Sequence, residues 1–153
     1  MEVVSATEAD LPAIRSLMGE MSRIYAEYAP DTFVPKNELE PYTFSLLPSQ
    51  DVFMFVAKED GKAVGFTDGQ VQTTPPYPAF VPRRFCLLQD LVVTEEYRRR
   101  GVGRQLMAAV HRWMRERDLN EIELSVYACS PDAVRFYRSL GMSERVIRMH
   151  QRV

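Results

Sequence analysis

Two glycines and a cluster of arginines are the residues whose types and spacing most clearly suggest chemistry. Gly101 and Gly103 stand between an apolar run and an amphipathic run, where a strand would turn into a helix. Glycine has no side chain, so backbone amides at such a turn can approach a ligand closely. Guanidinium groups match phosphate oxygens, and four surround the glycines: Arg98, Arg99, Arg100 and Arg104. This segment therefore predicts a binding site for a phosphate-bearing ligand.

Two other phosphate-binding motifs do not fit these residues. The dinucleotide fingerprint requires a third glycine at the position that Leu106 occupies. The P-loop requires Gly-Lys followed by Ser or Thr, a run that the chain does not contain. The ligand is thus expected to carry phosphates but to be held by neither motif.

The elements that would position this turn follow from hydrophobic periodicity. Residues 85–93 are apolar on both alternating faces, which is typical of a central strand. Residues 102–114 carry an apolar stripe at helical spacing, and 121–126 suit another strand. Strand, helix and strand of these lengths predict a right-handed crossover with the two strands parallel.

The rest of the chain divides at its proline, glycine and capping residues. The expected elements are a strand at 2–6, a helix from about Thr7 to Tyr25, a shorter helix at 36–47, hairpin strands at 52–56 and 63–66 joined through Asp60–Gly61 with the second extending toward Gln72, a loop at 73–84, a helix at 131–140 that ends at Gly141, and a final strand at 142–151. The loop contains four prolines, which cannot serve a central ladder.

The two motifs of the second half of the chain together resemble a known family. Arg98-x-x-Gly101-x-Gly103 is followed by Ser-Pro-Asp-Ala-Val-Arg-Phe-Tyr-Arg-Ser-Leu-Gly-Met at 130–142, and the pair is similar to the acyl-CoA-binding core of the GNAT (Gcn5-related) N-acetyltransferases. The resemblance implies one α/β (α+β) domain over 1–153. Its fold would be a central, mixed, mostly antiparallel twisted sheet with a splayed parallel strand pair and helices on both faces.

The resemblance also implies acetyl-CoA as the acetyl donor and a place for it. The strands at 86–93 and 121–127 would splay apart, and pantetheine would hydrogen-bond in the slot like an extra strand. The pyrophosphate would sit on the amides between Arg98 and Arg104. The residues expected to contact the coenzyme are Leu91, Val92, Val93, Arg98, Arg99, Arg100, Gly101, Val102, Gly103, Arg104, Ser130, Ala133, Phe136 and Tyr137.

Two side chains are candidates for proton transfer. Tyr137 occupies the family's tyrosine position near the coenzyme sulfur, and a phenol with pKa ~10 can protonate the departing thiolate; the alternative is an amphipathic core tyrosine. Asp90 is the leading base, directly or through water, although it could equally be a buried hydrogen-bonding or ion-pairing residue. Relatives often carry glutamate where Gln89 stands, and an amide cannot be a base. A backbone N–H near Leu91 or Val92 would hold the oxyanion.

The predicted function is acetyl transfer to a primary amine by direct attack in a ternary complex. A small cationic acceptor is preferred because one segment mixes aromatic and acidic side chains, namely Tyr25, Tyr28, Phe33, Tyr42 and Phe44 with Glu27, Asp31, Glu38 and Glu40. The loop at 73–84 is either a wall of this site or a passive connector. Alternatives are a peptide N-terminus or lysine as acceptor, a non-catalytic acyl-CoA sensor, and a covalent enzyme that uses Cys129 without a nearby histidine.

The composition and charge of the chain limit the classes of partner that we expect it to bind. A formal net charge of -2 gives no global attraction to nucleic acid or membrane, and no apolar run approaches the ~20 residues that span a bilayer. The N-terminus lacks the basic start and apolar run of a signal peptide. Two cysteines and two isolated histidines argue against a disulfide framework and against a metal site. We therefore expect a cytoplasmic protein without metal; a homodimer is left open.

Overall fold

The structure is a computed structural model, and it describes residues 1–40 and 49–153. Two short 3-10 helices span Glu8–Asp10 and Glu95–Tyr97. The other elements are β1 (Glu2–Ser5), α1 (Leu11–Tyr28), β2 (Val52–Glu59), β3 (Lys62–Thr73), β4 (Arg84–Val93), α2 (Val102–Arg115), β5 (Ile122–Glu123) and α3 (Pro131–Arg138).

The strands of the described residues form one sheet in the order β1-β2-β3-β4-β5. The first three pairs are antiparallel, and β4 pairs with β5 in parallel. This arrangement confirms the predicted mixed, mostly antiparallel sheet with a parallel pair next to the arginine-rich turn. The hairpin between β2 and β3 is confirmed as well, because Asp60 and Gly61 both take positive φ, at 50° and 78°.

The two faces of the sheet pack against different helices because successive side chains of a strand point to opposite faces. On one face, α1 buries Ile14 and Met18 against residues such as Met54. On the other face, α2 buries Val110 and Trp113 against residues such as Phe53. Helices therefore cover both faces, as expected, and β4 runs through the middle of the core.

The C-terminal strand predicted at 142–151 is wrong, because residues 142–153 have no strand structure. Side-chain ion pairs attach this segment instead: Arg138 pairs with Glu144, and the Arg145 Nε lies 3.5 Å from Glu123 Oε1. The large apolar side chains of the segment are left exposed, namely Val146, Ile147, Met149 and Val153. The neighbouring β5 offers a ladder of only two residues.

Other boundaries differ from the predictions as well. β5 is shorter than 121–126, and α3 ends at Arg138, two residues before the expected end. Residues 36–40 are not helical, because the segment is held against α1 in another way. The Ser22 Oγ donates to Val34 O at 2.9 Å and accepts from Lys36 N at 3.1 Å. The rest of the helix predicted at 36–47 falls outside the described residues.

Candidate functional site

A β-bulge in β4 marks the start of the slot between the parallel strands. Asp68 pairs with Asp90 and Gly69 with Leu88, so Gln89 is the extra residue on β4. The parallel ladder of β4 and β5 ends just before this point, at Leu87 and Glu123. A bulge bends its strand and disrupts the ladder, and here it coincides with the place where the two strands part.

Gly69 permits the close approach of β3 and β4 beside the bulge. A Cβ at this position would lie 2.4 Å from Leu87 O and 2.7 Å from the Phe53 ring. Atoms do not tolerate such distances, so only glycine fits without a backbone shift. The bulge is therefore specified by the residues of β3 as well as those of β4.

The side chain of Asp90 lies buried on the side of the sheet that α1 covers. It is 9% exposed, and its Oδ2 has no hydrogen-bond partner among the described residues. Burial raises the pKa of its carboxyl to about 6, because a charged group is less favourable away from water. A buried carboxylate with a spare oxygen and a pKa just below neutrality is suited to accept a proton.

Tyr137 projects from α3 into the same region. Burial raises the pKa of its phenol, and the charges of Tyr25 and Asp90 raise it further. The Tyr137 ring packs against the buried cluster that contains Leu88 and Trp113. The ring also packs edge-on against Phe136, with the centroids 5.2 Å apart. A phenol in this environment keeps its proton at neutral pH and can donate it.

The first turn of α2 offers backbone donors. Gly101 precedes the helix with φ of 83°, no side chain caps the N-terminus, and no acidic residue lies in the first turn. The amides there are unsatisfied by the helix itself and carry its positive dipole end. Val102 is 1% exposed within the core, so only its backbone can contact a ligand. The turn is thus a site of positive potential made largely of backbone.

Gly103 brings α3 against this turn. A Cβ on Gly103 would lie 3.0 Å from Phe136 Cζ and 3.8 Å from Leu91 Cδ2. The predicted coenzyme contacts Gly103, Leu91 and Phe136 are therefore brought together. Val92 points the other way, into the core under α1. Ser130 is buried at the start of α3, and Ala133 lies one turn further along.

The four arginines do not act as one cluster. Arg98 turns toward α1: its Nε donates to Val93 O at 2.9 Å, and its Nη2 donates to Glu20 Oε1 at 2.7 Å. Arg104 donates to Ser139 Oγ at 2.9 Å, and the guanidinium of Arg100 lies 5.1 Å from the centroid of the Tyr97 ring. Arg98 thus ties the turn to α1 in this structure.

Glu20 is a residue that sequence reasoning missed. Besides Arg98, it accepts from the Thr94 hydroxyl at 3.0 Å and from Glu95 N at 2.9 Å. It therefore joins α1 to the segment between β4 and α2. An acidic residue on a helix surface gives no signal of this kind, because its partners are more than 70 positions away in the chain.

Three aromatic side chains from separate segments of the chain form a cluster. The rings of Tyr25, Phe33 and Tyr127 lie 5.0 to 5.4 Å apart. Burial raises the pKa of Tyr25, and the charge of Asp90 raises it further. Sequence analysis proposed Tyr25 and Phe33 but missed Tyr127, which follows β5 and meets them only through the fold.

The other residues of the predicted acceptor segment are dispersed. Asp31 pairs with Arg152 at 2.6 Å and Glu40 with Arg15 at 2.7 Å, whereas Tyr42 and Phe44 fall outside the described residues. A surface cavity of about 460 Å³ lies beside the end of α1 and is lined by Arg23, Ala26, Glu27, Pro30, Phe33 and Pro35. It brings Glu27 and Phe33 to one surface.

The proline-rich connection between β3 and β4 is a loop, as predicted. Tyr77 and Phe80 pack on each other, with their ring centroids 6.0 Å apart, and both are largely exposed.

Within residues 1–40 and 49–153, no group of three His, Cys, Asp or Glu side chains could hold a metal ion. No helix in that part of the chain is long and apolar enough to cross a membrane.

Comparisons with known proteins agree on one class of protein, the acetyltransferases. The model of the acetyltransferase (GNAT) family matches residues 21–142. An uncharacterized N-acetyltransferase of Archaeoglobus fulgidus is 30% identical over 91% of this chain and 90% of its own length. An N-alpha-acetyltransferase of Sulfurisphaera tokodaii is 28% identical over 76% and 72%. An aminoglycoside N(6')-acetyltransferase of Salmonella typhimurium is 27% identical over 67% and 71%.

Solved structures share the fold. The tetramutant of a Bacillus halodurans protein superposes with a TM-score of 0.91 at 26% identity, and the match covers both chains completely. An aminoglycoside N-acetyltransferase in complex with coenzyme A superposes with a TM-score of 0.70 at 21% identity, over 99% of this chain and 100% of that one.

Proposed function

The chain belongs to the acetyltransferase (GNAT) family, and we propose that it transfers an acetyl group from acetyl-CoA directly to a primary amine of a small cationic molecule. The family uses acetyl-CoA, and the protein is an acyltransferase. The observation that carries the finer proposal is the buried carboxyl of Asp90, whose Oδ2 has no hydrogen-bond partner among the described residues, just beyond the end of the β4–β5 ladder.

The residues of this chain fit acetyl-CoA. The first turn of α2 has neither a side-chain cap nor an acidic residue, so its amides are available to a pyrophosphate. Gly103 lets the backbone of this turn pack directly against the Phe136 ring of α3, with Leu91 next to it. Beyond the bulge, the side of β4 that faces away from β3 has left the ladder with β5, and amides of pantetheine would pair with it.

Two groups of the chain would move protons. Acetyl-CoA supplies an activated thioester, and the amine must lose a proton before it can attack the carbonyl carbon. Asp90 takes that proton, directly or through a water, since a carboxyl with pKa about 6 is mostly ionised at neutral pH. Tyr137 donates its phenolic proton to the sulfur as the carbon–sulfur bond breaks. A backbone N–H near Leu91 or Val92 donates to the carbonyl oxygen, where negative charge develops.

The preference for a small cationic acceptor rests on the aromatic cluster and its acidic neighbours. The faces of Tyr25, Phe33 and Tyr127 suit a cation, and Asp90 adds negative potential close to Tyr25. The relationship to an aminoglycoside N(6')-acetyltransferase supports this class of acceptor. A peptide N-terminus is the second candidate, supported by the relationship to an N-alpha-acetyltransferase.

The test is release of coenzyme A thiol from acetyl-CoA across polyamines, aminoglycosides, amino acids and peptides with free N-termini or lysines. Turnover with polyamines or aminoglycosides is expected, and the Tyr137→Phe variant serves as the matched control for enzymatic release. Turnover with peptides alone would overturn the small-molecule acceptor. Tight binding of acetyl-CoA with no turnover on the whole panel would favour a non-catalytic sensor.

A further inference from the structure

Side chains of β3 bind both backbone polar groups of Asp90. The Asp90 N–H donates to Asp68 Oδ1 at 3.0 Å, and the Asp90 carbonyl accepts from Thr67 Oγ1 at 2.8 Å. Thr67 and Asp68 are consecutive, and both are 0% exposed. A buried carboxylic residue opposite another one is unusual in a sheet core, where polar groups are kept only if they are bonded.

The bulge explains why side chains of β3, and not its backbone, form these hydrogen bonds with the backbone of Asp90. Because Gln89 is an extra residue, the β3–β4 ladder changes register between Asp68 and Gly69. Backbone groups at a bulge lose regular ladder partners, and buried backbone groups must be satisfied in some other way. Thr67 and Asp68 supply a donor and an acceptor at this position, in the orientation that Asp90 requires.

We propose that Thr67 and Asp68 are positioning residues that clamp the backbone of Asp90, hold the bulge of β4 and thereby keep the acetyl-CoA slot open. The clamp fixes the strand on the β3 side, so the opposite side of β4 stays turned toward the slot. It also fixes the Cα of Asp90 and hence the direction of its carboxyl. The inference rests on the proposed function only for the identity of the ligand in the slot.

Several titratable groups surround the clamped residue, so pH effects alone would not isolate the clamp. Among the described residues, Asp68 faces Asp90 from β3, Tyr25 from α1 and Tyr137 from α3, and Tyr127 and Cys129 act on Tyr25. The decisive measurements must therefore report on the Asp90 backbone and on the slot. Two are suitable: amide hydrogen exchange at Asp90 and calorimetric affinity for acetyl-CoA.

The first measurement needs no variant and no ligand. Amide exchange of the wild-type protein, followed by NMR, is expected to show the Asp90 N–H among the slowly exchanging amides of β4, because it is bonded to a buried carboxyl. Rapid exchange at Asp90 beside slow exchange at Cys86, whose N–H donates to Glu121 O at 2.9 Å, would overturn the clamp. This outcome does not depend on whether the protein binds acetyl-CoA.

The second measurement uses matched variants. Thr67→Val keeps the shape but removes the donor, and we expect about tenfold weaker acetyl-CoA binding, the effect of one lost hydrogen bond. Thr67→Ser keeps the hydroxyl and should restore affinity to within about twofold. Asp68→Asn keeps an acceptor oxygen and should retain slow exchange at Asp90. Ile14→Val, in the core under α1, is the control for lost stability alone.

The outcomes separate the two proposals. If the folded Thr67→Val variant binds acetyl-CoA as tightly as the wild type, the clamp has no role in the slot. If Thr67→Val does not fold, the wild-type exchange measurement decides: slow exchange at the Asp90 N–H supports the clamp, and rapid exchange overturns it. If the wild type itself binds no acetyl-CoA, the proposed function fails while the exchange result still decides the clamp.

Discussion

The two halves of the candidate site differ in the groups that they present to a ligand: mainly backbone in one half and mainly side chains in the other. On the proposed coenzyme side, the bulge of β4 and the first turn of α2 present mainly backbone, with Gly101 and Gly103 at the turn. On the proposed acceptor side, the surface consists of side chains from separate segments, among them Tyr25, Phe33 and Tyr127. Backbone geometry is shared by all members of a fold, whereas side chains change freely. We therefore expect the coenzyme half to be shared with other proteins of this fold and the acceptor half to be specific to this protein.

The sharpest test of the coenzyme half is Gly103→Asp. We expect acetyl-CoA affinity to fall more than about 100-fold, because a carboxylate in the first turn repels phosphate and competes for the same amides. An acidic residue is otherwise favourable at a helix N-terminus, so folding should survive. Isothermal calorimetry measures the affinity.

Gly103→Ala is the matched control for this change. Its methyl group meets the Phe136 ring at about the same distance, 3.0 Å, but carries no charge. A large loss in Gly103→Asp with a small loss in Gly103→Ala would assign the effect to charge. Equal affinity of Gly103→Asp and wild type would place the phosphates elsewhere.

Tyr137→Phe tests the residue at which the two halves meet. Turnover should fall about 100-fold, since the proton donor for the thiolate is lost, while acetyl-CoA affinity stays nearly unchanged. Steady-state kinetics and calorimetry separate these effects. Tyr127→Phe, which removes a hydroxyl from the aromatic cluster, is the control. Loss of affinity without loss of turnover would make Tyr137 a binding residue.

Asp90→Asn is expected to lower turnover roughly tenfold at neutral pH, with partial recovery at higher pH, where more of the amine is already neutral. The wild-type rate should decline as the pH falls through about 6, because protonated Asp90 cannot act as a base. The variant should lack this decline. A folded variant with the wild-type pH profile would remove Asp90 from proton transfer.

The same substitution has a consequence for stability. The folded-state pKa of Asp90 lies above its usual value of 3.8, so its contribution to stability is present below that value and is lost as the pH rises through 6. The difference of about 2 pH units corresponds to roughly 3 kcal/mol. Chemical denaturation should show the wild type losing stability from pH 4 to pH 6 relative to Asp90→Asn.

The smallest effect is expected on the acceptor side. Tyr127→Ala removes one face of the aromatic cluster and should raise the KM for a cationic amine about fivefold, the usual scale of one cation–π contact. The affinity for acetyl-CoA should not change. Tyr77→Ala, in the exposed loop between β3 and β4, is the control. An equal rise in KM for both variants would extend the acceptor surface to that loop.

The coenzyme half could be predicted from the sequence because its signals are local. The glycines, the apolar run of β4 and the stripe of α2 lie within about 30 consecutive residues. The hairpin at Asp60–Gly61 and the parallel pair were predicted from such patterns and confirmed, and the fold class that the family resemblance implied is confirmed as well. The family resemblance added the splayed strands, and the end of the ladder at Leu87 agrees with it.

The remaining features depend on contacts between distant positions. The partners of Glu20 and the arrival of Tyr127 beside Tyr25 cannot be read from local periodicity. The strand predicted at 142–151 failed because a pattern shows which residues could pair, not whether an edge is available. The register shift opposite Asp68 escaped prediction for the same reason, since alternation along β4 gives no sign of an extra residue.

The two cysteines differ in a way that matters for any experiment with thiol chemistry. Burial raises the pKa of the Cys86 thiol to about 12, whereas Cys129 is exposed close to the aromatic cluster. A maleimide dye should therefore label the folded protein at one position, and its fluorescence should report when a molecule occupies the neighbouring surface. Conversely, a disulfide reagent used to follow coenzyme A release would consume one equivalent per chain at Cys129, and a Cys129→Ser background removes that signal.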